Sequence, residues 1–309
     1  DSLRILLDFV QSPYFTEETV AKEQGIIGQE IKMYEDLPGW RVFFNYLQAM
    51  YHKHPVKDDA AGTIESIARI TPEYLYRCYH TFYNLNNMAL VLAGKFDVDK
   101  VLEVCDEMLK PSPPVSVKRV FPDEPDIIVK PVIEQKLSVA MPVFQFGYKG
   151  SAMNKTTEKD LAAMGALLNI LASDASVMFR RLLDRGLINE ASFSRDYFEG
   201  SGYATVMFGG ESRDPKAAAS IIQEEVSRLQ REGIPEEDFR WAKRSLYGES
   251  VSALNHAAGI ASWIMDFTFK GLELFTYIDA LAELTLPQVQ EKLDSLRDDR
   301  SVLSVIRPI

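Results

Sequence analysis

The segment Phe15-Thr-Glu-Glu-Thr-Val20 returns later in the chain as Ile234-Pro-Glu-Glu-Asp-Phe239. The same register carries Glu30 onto Glu249, so both pairs stand 219 positions apart. A repeat of this length points to duplicated domains rather than to a solenoid. In each copy a shorter helix, Leu3 to Val10 or Ala217 to Leu229, leads through a turn into a longer one, which starts at Thr16 in the first copy and carries Pro235 in its first turn in the second.

The second copy shows what a complete unit contains. Ahead of its helix pair it has β-rich segments at Asp126–Val129 and Lys136–Phe146, helices from Thr157 to Ala172 and from Ser176 to Asp184, and strands at Ala191–Phe198 and Tyr203–Gly209. By equivalence the first unit is N-terminally truncated, with roughly 90 residues expected before Asp1. What remains of it continues through a helical segment at Trp40–His52, a helix from Thr71-Pro72 to Tyr83, a strand at Met88–Ala93 and a helix at Val98–Leu109. Pro111-Ser-Pro-Pro114 then reads as a linker. The expected fold class is α+β, each unit an antiparallel or mixed sheet with helices packed on one face. The domains are expected at 1–113 and 114–309.

At 309 residues the chain is long enough for about two cores. Its net charge of −11 argues against a nucleic-acid partner, which needs a basic field. The two cysteines, Cys78 and Cys105, form no C-x-x-C pair and fit buried thiols in a reducing compartment, so a cytoplasmic location is expected. No stretch has the uninterrupted apolar length to cross a bilayer. The nearest candidate, Ala253 to Phe269, is broken by Asn255, His256 and Asp266 and reads as a buried helix, and no membrane partner is expected. No signal peptide precedes the amphipathic pattern Leu3, Leu6, Leu7, Val10.

The helix that starts at Thr16 carries Glu23 and Glu30 seven residues apart. At about 100° per residue, both carboxylates border the stripe formed by Val20, Ile27, Ile31 and Tyr34, whereas Lys22, Gly25, Gln29 and Lys32 occupy the opposite side. An unpaired buried carboxylate costs several kcal/mol, so a partner is expected. Two readings are open: an arginine, a backbone N–H or edge solvent meets each acid, or one acid binds a metal that the other supports.

The segment Ala21-Lys-Glu-Gln-Gly-Ile-Ile-Gly-Gln-Glu-Ile-Lys-Met-Tyr-Glu-Asp-Leu-Pro38 resembles the stretch that follows the inverted zinc motif in the pitrilysin/insulinase family of metallopeptidases. The duplicated units and the proline-rich linker fit that family's bipartite plan. The resemblance implies a zinc metalloendopeptidase, peptide-processing or peptide-degrading, in which H-x-x-E-H supplies two histidine ligands and a general base. Glu30 is then the third zinc ligand and Glu23 its supporting acid, with a fourth metal position left for water. No H-x-x-E-H occurs in this chain, so neither peptidase activity nor tight zinc binding is expected of these 309 residues alone. His52, His54, His80 and His256 read as surface or core residues. In the second copy Ala242 replaces the counterpart of Glu23, and Leu161–Leu168 contains no histidine. That copy reads as the non-catalytic wall of a substrate chamber.

Members of this family often carry, in the non-catalytic unit, an arginine and a tyrosine seven residues apart that hold the substrate and its oxyanion. Anchored on Arg185-Gly186-Leu187, those positions are Leu182 and Asn189 here; Arg181 and Tyr197 are the substitutes if the register slips, and the arginine cluster otherwise reads as a solvated helix end. The resemblance therefore implies a homologous zinc-less subunit as partner, in a heterodimer, or else a homodimer. The alternative is a non-catalytic structural or partner-binding subunit of the same fold.

Overall fold

Short polar residues fix many of the helix starts. The Thr71 hydroxyl accepts the Tyr74 N–H, Ser176 accepts that of Phe179, Asp214 that of Ala217, and Thr157 forms a reciprocal capping box with Asp160. The computed structural model describes residues 1–150 and 156–309. In chain order its elements are α1 (Ser2–Gln11), α2 (Glu17–Glu35), α3 (Pro38–Met50), α4 (Ile64–Ile67), α5 (Pro72–Phe82), α6 (Val98–Met108), β1 (Val132–Leu137) and β2 (Val143–Lys149). There follow α7 (Glu158–Ala172), α8 (Val177–Asp184), β3 (Ser194–Gly200), β4 (Tyr203–Glu211), α9 (Pro215–Glu232), α10 (Glu236–Ala253), α11 (Ala257–Lys270), α12 (Leu274–Glu283), α13 (Leu286–Asp294) and β5 (Ser301–Pro308).

Two compact units result, one made of Asp1–Met33, Ala60–Val120 and Ala257–Met265, the other of Tyr34–Asp59, Phe121–His256 and Asp266–Ile309. The second unit is built on a five-stranded sheet ordered β1-β5-β2-β4-β3, with β1 and β5 parallel and the remaining pairs antiparallel. Both faces are covered. On one, α3 packs over Gly147, Met207 and Val302, and the Tyr46 hydroxyl bonds that of Thr205. A Cβ on Gly147 would run into the Tyr46 hydroxyl and the Val206 carbonyl, so only glycine allows this approach. On the other face Phe144, Phe146, Phe208 and Val305 are buried against α7 and α9. A strand covered on both sides is expected to be mainly apolar, and in β5 only Ser304 interrupts the buried run Val302–Ile306.

In the first unit α1 lies against α6, where Arg4 pairs with Glu107 and the Gln11 amide reaches Met108 O at 3.1 Å. Tyr79 on α5 donates to Val10 O at 2.6 Å.

Several expectations from the sequence are corrected. Met88–Ala93 is irregular and pairs with no strand among the described residues, and Asp126–Val129 is likewise irregular, with Val129 and Lys130 N–H bonding Ala49 O at 2.9 and 3.0 Å. The apolar pattern is present in Met88–Ala93; what is absent is a neighbour to form a ladder with. Ala253–Phe269 is not one buried helix: α10 ends at Ala253, α11 starts at Ala257, and of α11 only Phe267 is buried. A long apolar stretch lies instead within Glu158–Asp184, where an 18-residue window has mean hydropathy 1.5 and is 67% buried; residues 173–176 divide the stretch into α7 and α8. Cys78 and Cys105 are free thiols, but half-buried rather than buried.

Candidate functional site

Helix α2 begins where Thr16 Oγ1 accepts the Thr19 N–H at 3.1 Å, with Glu17 and Glu18 in the first turn, where the helix dipole favours acids. Val20 and Ile31 are its buried anchors. Between them Gln24 donates to Ile67 O at 3.0 Å and Ile70 O at 2.9 Å, while Gly28 stands opposite Ile67. The docked stripe is therefore rotated towards Gln24 and Gly28, away from the two acids. Glu23 and Glu30 are both exposed, and among the described residues neither carboxylate has a hydrogen-bond or ion-pair partner. The expectation that they sit in an expensive environment and need a partner is corrected: in this chain solvent meets them. A polar residue, Gln24, makes the docking contact, and hydrophobic periodicity does not register it.

The contacts around α2 recur around α10. Phe15 N–H bonds Tyr76 Oη and Ile234 N–H bonds Gln290 Oε1, at 3.1 and 3.0 Å. Gln24 donates to Ile70 O, and Lys243 donates to Leu284 O at 2.8 Å. Residues 15 and 24 map to 234 and 243 at the 219-residue offset; 70 and 76 map to 284 and 290 at an offset of 214, the connecting segment being shorter in the second copy. The duplication read in the sequence is thus present as matched hydrogen bonds. Continuing the second register places Met88–Ala93 on Val302–Arg307, that is, on β5.

This correspondence shows what the face carrying Glu23 and Glu30 looks onto in a complete copy. Its counterpart on α10 carries Ala242 and Glu249. Both line a cavity of about 620 Å³, whose other walls include Asn169 of α7, Arg195 of β3 and Arg228 of α9. Glu249 is exposed there and accepts the Ser245 hydroxyl at 2.7 Å. In the second copy this face runs from the buried Ala242 to the exposed Glu249 along the cavity wall.

The remaining candidates are dispersed. Leu182 is fully buried, and Asn189 Nδ2 donates to Glu211 Oε2 at 3.2 Å. Arg181 is not a solvated helix end but pairs with Glu224 at 2.7 Å and lies 3.8 Å from Glu225. Burial pushes the Tyr197 phenol well above its usual range, which keeps it neutral. His54 is a core histidine: Nδ1 accepts the Val56 N–H at 3.1 Å, Nε2 donates to Ser201 O at 3.0 Å, and the ring stacks on Phe121. Among the described residues no three His, Cys, Asp or Glu side chains are grouped to hold a metal ion. The residues of this chain therefore do not make a zinc site by themselves. Sequence reasoning missed the buried pair Lys149–Glu124, whose one visible sign is a lysine closing the largely apolar strand Val143–Lys149.

The family model for the peptidase M16 inactive domain matches residues 69–246. The "uncharacterized zinc protease YmfH" of Bacillus subtilis is 35% identical over 99% of this chain and 73% of its own length. The chain belongs to the peptidase M16 family. A crystal structure of a putative M16-like peptidase from Alicyclobacillus acidocaldarius superposes with a TM-score of 0.94 at 33% identity, over 99% of this chain and 74% of that one. The "probable inactive metalloprotease YmfF" of Bacillus subtilis is 23% identical over 92% of this chain and 65% of its own length. M16 relatives of this chain thus include proteins named as zinc proteases and one named as inactive, and the α+β architecture is that of the M16 fold.

Proposed function

We propose that this chain is part of a subunit of a zinc metalloendopeptidase, with Glu30 as the third zinc ligand and Glu23 as its supporting acid. The observation that carries this reading is the pair itself. Both acids stand unpaired on the face of α2 whose counterpart on α10 borders a cavity. A structural role would give them partners, and they have none among the described residues. Residues 1–113 would be the remainder of the zinc-bearing copy and 114–309 the wall of a substrate chamber for peptides, in a reducing, cytoplasmic setting. Because Leu182 and Asn189 replace the arginine and tyrosine that the family resemblance leads one to expect, a homologous zinc-less subunit would complete the catalytic equipment in a heterodimer.

A second reading, a non-catalytic subunit of the same fold, is favoured by the relative named as inactive. The deciding experiment uses the complete subunit, alone and with its closest co-expressed homologue, assayed for bound zinc and for cleavage of a quenched fluorescent peptide. Glu30→Gln is expected to abolish tight zinc binding, and Glu23→Gln to weaken it by roughly 10- to 100-fold. A complete subunit that binds no zinc and cleaves nothing, alone or paired, establishes the second reading. Full activity without the homologue removes the heterodimer.

A further inference from the structure

The cavity beside α10 has features that the proposed activity does not use. Trp241 stands on its wall with 64% of its surface exposed, and such an open indole face suits a cation. Asn169, only 7% exposed, lines the same cavity. Its Oδ1 accepts Arg195 Nη2 at 3.0 Å, whereas its Nδ2 has no partner among the described residues. The Asn169 side chain is thus held by Arg195 with its Nδ2 open to the cavity, where water or a ligand supplies the acceptor.

The charge of the wall is one-sided, with five carboxylates against two guanidinium groups. Glu225 and Arg228 neutralise each other at 2.8 Å. Asp174, Glu237, Asp238 and Glu249 have no ion-pair partner among the described residues, and Arg195, bonded only to the neutral Ala172 O and Asn169 Oδ1, has no carboxylate. The cavity therefore offers an aromatic face, four unpaired acids, among them Asp238 and Glu249 on the helix that carries Trp241, one amide donor and one guanidinium without a counterion.

We infer that this cavity binds an alkylguanidinium or alkylammonium cation carried next to a carbonyl oxygen, the chemistry of an arginine or lysine. The cation is held by Trp241, Asp238 and Glu249, and the carbonyl oxygen by Asn169 Nδ2. A free amino acid would add its α-carboxylate to Arg195; the same residue inside a peptide would not. The site is independent of the zinc reading, since it lies wholly in the second unit and uses neither Glu23 nor Glu30.

The test is calorimetric titration of the 309-residue chain with L-arginine, with Nα-acetyl-L-arginine amide, and with the corresponding citrulline amide as the uncharged isostere. Both arginine ligands are expected to bind, the citrulline compound at least tenfold more weakly. Trp241→Ala and Glu249→Gln should each weaken binding by roughly three- to fivefold, and raising the salt concentration should weaken it further. Trp241 and Glu249 are exposed, so an unchanged thermal unfolding curve confirms that the variants are folded. Tighter binding of free arginine identifies the amino acid as the source; tighter binding of the capped form identifies a peptide. No heat with either arginine ligand, equal affinity for citrulline, or affinities untouched by both substitutions overturns the inference.

Discussion

Lys149 Nζ lies 2.7 Å from Glu124 Oε1, and the two side chains are 4% and 2% exposed. The ammonium also donates to Met50 O, Pro125 O and Ile127 O at 3.1, 2.8 and 3.0 Å, and stands over the Tyr51 ring. The carboxylate in turn accepts the backbone N–H groups of His52, Lys53 and His54 at 2.8, 2.7 and 2.9 Å. Both buried charges are thus saturated with partners, and residues 124–127 are fastened to the loop that follows α3. Removing one member leaves the other buried and uncompensated. Lys149→Met is expected to lower the unfolding free energy by about 3–5 kcal/mol in urea titrations. The double variant with Glu124→Leu should lose less than the sum of the two single changes.

The same pair sets an acid limit. Burial opposes the charged form of Glu124, but the Lys149 ammonium and the three N–H groups outweigh it and hold the carboxyl at about 2. The folded value lies below the unfolded one of about 4.3, so this contribution is complete at neutral pH and is lost as the pH falls through 4 towards 2. It amounts to about 3 kcal/mol. Measured between pH 7 and pH 2.5, the stability gap between the native chain and Glu124→Gln should narrow by that order; a constant gap would contradict the assignment.

Gly147→Ala tests the approach of α3 to the sheet. The added methyl meets the Val206 carbonyl as well as the Tyr46 hydroxyl, so one side-chain rotation cannot relieve it. A loss of about 2–3 kcal/mol is expected, and Tyr46→Phe in the same chain should not restore it.

On α2 the polar residues should behave oppositely to their charge. Glu23→Gln and Glu30→Gln, at exposed positions, are expected to change stability by less than about 0.5 kcal/mol in this chain. Gln24→Ala strands two carbonyls, Ile67 O and Ile70 O, and should cost about 1–2 kcal/mol. A destabilised Glu30→Gln would mean that the acid is structural.

Hydrogen exchange followed by mass spectrometry should separate the two copies of one strand. The amides of Val302–Arg307, in a strand paired on both sides, are expected to exchange only on opening of the second unit; those of Met88–Ala93 should exchange orders of magnitude faster. Equal protection would show that the Met88–Ala93 segment has found a partner.

These contrasts mark where the sequence is informative. Helix starts at Thr16, Thr71, Thr157 and Ser176 are local chemistry, and all four are found where their capping residues put them. The seven-residue spacing of Glu23 and Glu30 is equally visible. Their exposure is not, because it depends on Gln24 reaching carbonyls more than forty positions away. Met88–Ala93 has a strand's composition, but a strand is a property of two segments and cannot be read from one. The cavity beside α10 needs walls from α7, α9 and β3 as well, a convergence no local pattern encodes.

The parallel pairing of Val132 with Leu303 has a consequence for biosynthesis. β5 is inserted between β1 and β2, so an interior strand is translated after the other four, and β1 has no other partner among the described residues. At about 5–20 residues per second, β1 and one edge of β2 stay open on the ribosome for roughly ten to thirty seconds before Ser301–Pro308 emerges. During that interval Phe144 and Phe146 lack their cross-strand neighbours Val305 and Leu303. The nascent chain is most vulnerable to misassociation then, and the sheet closes in one late step rather than strand by strand.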